Sequence, residues 1–256
     1  MRGLAGKRIV VASGATGIGA ATAQRLAEEG ARVVIGDINE EGLNATVERI
    51  RHAGGAASGV KFDLADPAAI RNLVAVAVDT LGGLDGVANI GADIEANKLE
   101  LGHDLLDMDV LHWERTLRVN LIGHALVIQA ALPHLVTSGG GSIVGVSSAA
   151  AHGGFPFAPA YACSKAGLNA LARHVAARWG KNNIRCNYIA PGYILSEAMQ
   201  RHLDQETHDA VVAGLPLTRL GQPADTAALL AFLLSDDGAW ITGQVIALNG
   251  GAAFRD

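Results

Sequence analysis

Two hydrophobic patterns alternate along the 256 residues. Short apolar, β-branched runs, continuous enough to be buried on both faces, fall at Lys7 to Ala12, Arg32 to Ile35, Val60 to Phe62, Gly86 to Ala88, Ser142 to Val146, Ile184 to Ile189 and Gln244 to Leu248. Between them, apolar residues recur at helical spacing over Ala20 to Glu29, Glu40 to His52, Pro67 to Leu81, roughly Val110 to Val136, Ala160 to Lys181 and Pro223 to Leu234. Strands separated by helices predict an α/β fold: a doubly wound parallel sheet of about seven strands, helices on both faces, and ligands at the carboxyl ends of the strands. No linker or shift of composition interrupts the rhythm, so residues 1–256 read as a single domain.

Composition narrows the class. Half of the residues are hydrophobic, enough for such a sheet, and 20 basic against 25 acidic side chains leave a mildly acidic chain. No dense basic tract with interleaved aromatics appears, which argues against nucleic acid as a partner. The start, MRGLAGKRIVV, runs straight into the first strand without a cleavage site. The longest apolar helix, near Leu121 to Val136, is interrupted by His124, Gln129, Pro133 and His134, so neither a signal peptide nor a membrane span is expected. Cys163 and Cys186 are too few for a disulfide framework, and neither a Cys-x-x-Cys nor a metal-spaced histidine pair is present. They read as free thiols of a reducing, cytoplasmic compartment, and no metal is expected. Cys163 has no histidine base near it in sequence, as a nucleophile would need.

Chemistry enters at two places. After the first strand comes SGATGIG, in which Gly14, Gly17 and Gly19 allow close backbone approach and the helix that opens there offers unpaired amides to an anion. Asp37 ends the second strand, where a carboxylate accepts hydrogen bonds from an adenosine ribose and repels a 2′-phosphate. Ile38 follows it, and Thr16 stands where a basic residue would neutralise that phosphate, so NAD is favoured over NADP. The second place is Tyr161 and Lys165, stacked on one face of a helix, with Ser148 upstream at a strand end. A phenol titrates near ~10, and bringing it to neutral pH needs about 4 kcal/mol of preference for the phenolate, which a neighbouring ammonium supplies. Either site has a plainer reading, an exposed helix pair at Tyr161 or a turn-capping hydroxyl at Ser148, and their coexistence favours the chemical one.

With Asp63 in FDLAD, Asn120 in RVNLIG, Pro191 and Gly192, and the terminal WITGQVIALNGG, the chain resembles the short-chain dehydrogenase/reductase family along nearly its whole length. The resemblance implies a Rossmann-like fold and hydride transfer between NAD(H) and a secondary alcohol or ketone. It implies Tyr161 as general acid/base, Lys165 lowering its pKa and holding the nicotinamide ribose, Ser148 orienting the substrate oxygen and Asn120 holding a relay water. By the same similarity Ser13, Gly14, Thr16, Gly17, Ile18, Gly19, Asp37 and Ile38 line the adenosine and pyrophosphate, Asp63 and Leu64 flank the adenine, and Asn89 and Gly91 continue the groove. Pro191, Gly192, Ile194 and Ser196 would meet the carboxamide.

The chain departs from the family pattern at two points: Ala12 and Ser13 replace Thr-Gly, and Asn89, Ile90, Gly91, Ala92 replace Asn-Asn-Ala-Gly. An apolar Ala12 facing an apolar Ile90 would remove both ends of one polar contact together, which is close to neutral. An NADPH-dependent carbonyl or 3-oxoacyl reductase, and a catalytically inactive nucleotide-binding protein, are the alternative functions. Substrate is expected to meet Asp93 to Asp109, the apolar loop His152 to Pro159, and a mobile lid at about 193–217. Asp93 to Asp109 carries Asp93, Glu95, Glu100, Asp104, Asp107 and Asp109 against Lys98 alone. The apolar tail and the long helices suggest a homodimer or homotetramer.

Overall fold

The computed structural model describes residues 1–93, 105–154, 156–201 and 203–254, the side chain of Ala198 excepted. The strands β1 (Arg8–Ala12), β2 (Arg32–Asp37), β3 (Ala56–Lys61), β4 (Gly86–Asn89), β5 (Gly141–Val146), β6 (Ile184–Pro191) and β7 (Val245–Leu248) form one sheet, ordered β3-β2-β1-β4-β5-β6-β7. Every pairing is parallel. The order reverses between β1 and β4, so the crevice above their carboxyl ends is the switch point where such sheets bind ligands.

The helices are α1 (Gly17–Glu28), α2 (Glu40–His52), α3 (Pro67–Leu81), α4 (Val110–Leu117), α5 (His124–Thr137), α6 (Pro159–Trp179), α7 (Glu197–Gln200), α8 (Gln205–Ala213) and α9 (Pro223–Leu234). Their starts follow local chemistry. Asn39 and Asp66 cap α2 and α3 by accepting from the Gly42 and Ala68 amides, and Gly82, at φ +77°, ends α3 in the left-handed region. Alternate residues of the strands feed two cores. Val10, Val34, Val87 and Ile143 meet α3, α5 and α6 on one face, while Ile9, Val11, Val33 and Ile35 meet α1, α2 and α9 on the other.

The element order agrees with the sequence pattern, and the differences are local. The third strand starts earlier than the expected Val60 because Ala56, Ala57 and Ser58 pair with Arg32, Val33 and Val34 although their side chains carry little apolar signal. The first helix begins at Gly17 rather than Ala20, since its first turn is the glycine turn itself. The expected continuous helix over 110–136 is interrupted: Arg118–Gly123 forms a π-helix between α4 and α5. The span Val110–Thr137 is long and apolar enough to cross a membrane by length and composition, yet half of that apolar stretch is buried in the fold, and Val119, Val127, Ile128, Ala131 and Leu135 belong to the core.

Candidate active site

The glycine turn is built by division of labour. A Cβ on Gly14 would lie 2.4 Å from Ile35 Cγ2, and one on Gly19 would lie 1.9 Å from the Ser13 carbonyl oxygen. These two glycines let the turn seat on β2 and α1 seat on the turn. Gly17, at φ +53°, has only Ser196 Cβ nearby, at 3.5 Å, so its missing side chain leaves a cradle open toward the α7 segment. Thr16 precedes α1 without a side-chain cap, which leaves the first amides of the helix to a ligand. Asp37 turns back over the turn: one carboxylate oxygen accepts from the Ala15 amide and the other from the Asn39 amide, each at 2.9 Å. Ile38, next in the chain, is exposed, and Ile18 packs against the core. The residues fit a dinucleotide: the uncapped start of α1 would hold a pyrophosphate, the Asp37 carboxylate would meet a ribose, and Gly17 puts no Cβ at the helix start.

The rest of the groove follows the strand ends. Asp63 accepts from the Ala65 amide at 2.8 Å, which orients the loop after β3 and buries Leu64. A Cβ on Gly91 would meet Leu64 Cδ2 at 2.8 Å and Ser13 Oγ at 2.3 Å. Ser13 itself sits at φ +73°, a conformation glycine adopts freely and serine does not. The departures at Ser13 and Gly91 therefore form one steric unit: the side chain gained at Ser13 fills the volume that Gly91 leaves empty.

The expected facing of Ala12 and Ile90 is not what the strands allow. Ala12 belongs to the core on one sheet face and Ile90 to the core on the other. Ala12 is instead in register with Asn89, and the buried Oδ1 of Asn89 is among the few buried side-chain oxygens without a hydrogen-bond partner in the described residues. The apolar Ala12 offers that oxygen no donor.

Tyr161 and Lys165 lie on α6, one turn apart, beyond the end of β5. Lys165 is 1% exposed, its Nζ lies 5.7 Å from the centre of the Tyr161 ring, and it donates to the Val146 carbonyl oxygen at 3.0 Å. Burial lowers its pKa to about 7. Ser147 Oγ donates to the Lys165 carbonyl oxygen at 3.1 Å and ties β5 to the same turn of α6. Ser148 begins the 3-10 turn Ala149–Ala151, and its Oγ accepts from the Ala150 amide at 3.1 Å, which fixes the oxygen and leaves the hydroxyl proton to donate elsewhere. The capping reading and the substrate-orienting reading of Ser148 are thus compatible.

Asn120 is fully buried inside the π-helix, where the widened turn aims its side chain at the strand ends. Its Oδ1 accepts from the Asp93 amide at 2.8 Å. His124, read from the sequence only as an interruption of an apolar helix, is equally buried; its Nε2 lies 2.7 Å from the Gly91 carbonyl oxygen. The signal that marks it is its place one turn after Asn120.

On the far side, Pro191 ends β6, and the Gly192 amide donates to the Leu248 carbonyl oxygen at 2.9 Å. Ile194 bridges to Gly221, and Ser196 caps α7 by accepting from the Met199 amide at 3.3 Å. The described residues of the expected lid at 193–217 include α7 and α8, and at its far end the Leu217 amide donates to the Gly250 carbonyl oxygen at 3.2 Å. Of the expected substrate segments, Glu95, Lys98, Glu100 and Asp104 lie outside the described residues, as does the Phe155 position of the apolar loop. Asp93 pairs with Arg115 at 2.6 Å, and Asp109 caps α4 on the Leu111 amide at 3.0 Å. His152 Nε2 stands 3.4 Å from Asn169 Nδ2. Cys163 is exposed and Cys186 buried, and burial raises the Cys186 pKa to about 12, an inert thiol.

Comparison with known proteins agrees with this arrangement. A family profile described as Enoyl-(Acyl carrier protein) reductase matches residues 12–253. The L-rhamnose 1-dehydrogenase (NAD(P)(+)) of Sphingomonas sp. (strain SKA58) is 40% identical over 255 residues, 98% of each chain. The 2,5-dichloro-2,5-cyclohexadiene-1,4-diol dehydrogenase of Sphingobium indicum is 36% identical over 97% of this chain and 96% of its own. A solved 7 alpha-hydroxysteroid dehydrogenase, complexed with NADH and 7-oxo glycochenodeoxycholic acid, superposes with a TM-score of 0.90 at 32% identity, covering 97% of this chain and 94% of that one. The chain belongs to the short-chain dehydrogenase/reductase family, nicotinamide-dependent oxidoreductases of CH–OH groups.

Proposed function

We propose that the protein is an NAD-dependent dehydrogenase of secondary alcohols in which Tyr161 is the general acid/base. The observation that carries this reading is the buried Lys165 ammonium beside the Tyr161 ring. An ammonium with a carbonyl oxygen as its neighbour, and burial as the sole cause of its lowered pKa, gains when an anion forms next to it. The phenolate of Tyr161 is that anion, and it takes the hydroxyl proton as the carbonyl forms. A bound nicotinamide supplies the hydride acceptor. Ser148 donates its hydroxyl proton to the substrate oxygen, Asn120 holds the relay water, and Lys165 holds the nicotinamide ribose.

Ser13, Gly14, Thr16, Gly17, Ile18, Gly19, Asp37, Ile38, Asp63, Leu64, Asn89 and Gly91 are assigned to the adenosine and pyrophosphate, and Pro191 to Ser196 to the carboxamide. Preference for NAD rests on the fixed Asp37 carboxylate, which repels a 2′-phosphate. The name of the rhamnose dehydrogenase admits both cofactors and favours a second reading in which NADP also serves. Calorimetric titration with each cofactor decides between them. Binding of neither at millimolar concentration sinks the assignment. A Tyr161→Phe variant retains cofactor binding and loses turnover; unchanged turnover would refute its role.

The half-exposed Phe157 in the loop before α6 supports a hydrophobic alcohol or ketone as substrate. Assembly as a homodimer or homotetramer is supported by an apolar groove of about 670 Å³ between α5 and α6, lined by Ile128, Leu132, Val136, Leu171, Val175 and Trp179, and by the fully exposed Trp240. The free thiols support a cytoplasmic setting.

A further inference from the structure

The backbone leaving β4 is gripped by the broken helix at three points. Asn89 Nδ2 donates to the His124 carbonyl oxygen at 3.1 Å, the Asp93 amide donates to Asn120 Oδ1 at 2.8 Å, and His124 Nε2 meets the Gly91 carbonyl oxygen at 2.7 Å. A carbonyl oxygen only accepts, so Nε2 carries the proton and Nδ1 is the bare nitrogen. The Tyr188 hydroxyl faces Nδ1 at 3.5 Å and donates to it. Asn89, Asn120, His124 and Tyr188 are each 0% exposed. Burial first, and the charge of Lys165 second, lower the His124 pKa to about 3, so the ring stays neutral and keeps one tautomer. The Tyr188 ring reaches this place because Gly145 is beneath it: a Cβ there would lie 2.2 Å from Tyr188 Cε1.

We infer that His124 is a positioning residue for the cofactor groove, holding the Gly91 carbonyl through its Nε2–H while Tyr188 fixes its tautomer. The Gly91 carbonyl thus carries the imidazole, while Ser13 Oγ occupies the space that a Cβ on Gly91 would need. The inference rests on the dehydrogenase reading of the site. A histidine that merely fills volume would serve as well replaced by a leucine; a donor aimed at one carbonyl would not.

The test uses the full chain and NAD itself. Calorimetry and kinetics compare the unsubstituted protein with His124→Leu, His124→Gln and Tyr188→Phe. We expect His124→Leu to weaken NAD binding and raise its KM by roughly tenfold, the equivalent of one lost hydrogen bond, with kcat at saturating cofactor changed less than about threefold. His124→Gln, which keeps an N–H of similar reach, recovers most of that loss, and Tyr188→Phe gives a smaller loss in the same direction. Unchanged NAD affinity in His124→Leu overturns the inference. Failure of the unsubstituted protein to bind either cofactor overturns the dehydrogenase reading instead. Should His124→Leu not fold, nitrogen-15 NMR of the unsubstituted protein decides: an Nε2–H tautomer that does not titrate between about pH 5 and 8 is expected, and an Nδ1–H tautomer overturns the assignment.

Discussion

Replacing Ser13 with glycine and Gly91 with alanine, singly and together, tests the steric unit at the cofactor turn. Ser13 at φ +73° carries roughly 1 kcal/mol of left-handed strain. Glycine relieves it but adds roughly 0.5–1 kcal/mol of unfolded-chain entropy, so Ser13→Gly alone is close to neutral. Gly91→Ala alone places a Cβ 2.3 Å from Ser13 Oγ, 2.8 Å from Leu64 Cδ2 and 3.1 Å from Ser13 Cβ. Such overpacking costs about 1–3 kcal/mol. In the double variant both Ser13 contacts disappear and only the end of the Leu64 side chain has to move. The pair should therefore be more stable than the sum of its parts by about 1–2 kcal/mol, or several degrees in melting temperature at about 2–4 °C per kcal/mol. Urea and thermal unfolding of the four proteins, at one protein concentration, measure this. Effects that add to within about 0.5 kcal/mol would show that the two positions are not coupled and refute the reasoning.

Ala12→Ser places a hydroxyl beside the unpartnered Oδ1 of Asn89 and should stabilise the fold by up to about 1 kcal/mol; a loss of stability would mean the site has no room for it. The Ala15 and Asn39 amides bind different oxygens of Asp37, so Asp37→Asn leaves an acceptor for only one of them; it also removes the negative charge, and the ratio of NAD to NADP affinity should fall severalfold in parallel titrations. An unchanged ratio would remove Asp37 as the basis of selection. Between its folded pKa of about 3 and its ordinary value of 6.5, His124 is a site where the unfolded chain binds a proton and the native chain does not. Its share of stability is complete above pH 6.5 and is lost as the pH falls toward 3, by up to about 1.4 kcal/mol per pH unit. Urea unfolding at two pH values in this window should lose that slope in His124→Gln, and identical slopes would contradict the assignment.

Much of this was legible in the pattern of residues. Apolar runs and helical spacing gave the strand and helix order because each element buries one face or both, and burial dominates the pattern. Tyr161, Lys165, Ser148 and the glycine turn were legible because local chemistry distinguishes them. The β3 start was hidden because Ala56, Ala57 and Ser58 contribute backbone pairing rather than side-chain burial. The π-helix was hidden because one added residue in a turn leaves no mark on composition. Ala12 and Ile90 do not meet because strand parity, which proximity along the motif does not reveal, puts them on opposite faces of the sheet. His124 and Tyr188 carry little signal in the sequence because each makes sense only against the other, from α5 and β6.

The π-turn at Arg118–Gly123 also sets a rule for how this chain can vary. The π-turn holds one residue more than the α-turn it replaces, so deleting a residue between Asn120 and His124 would restore a regular helix and shift those two side chains relative to each other. Asn120 and His124 would then no longer grip the same stretch of backbone. Residues in this turn are exchangeable to the extent that their side chains allow, but their number is fixed: variation in length belongs to the loops, and a gap here would mark a chain whose groove is held together in another way.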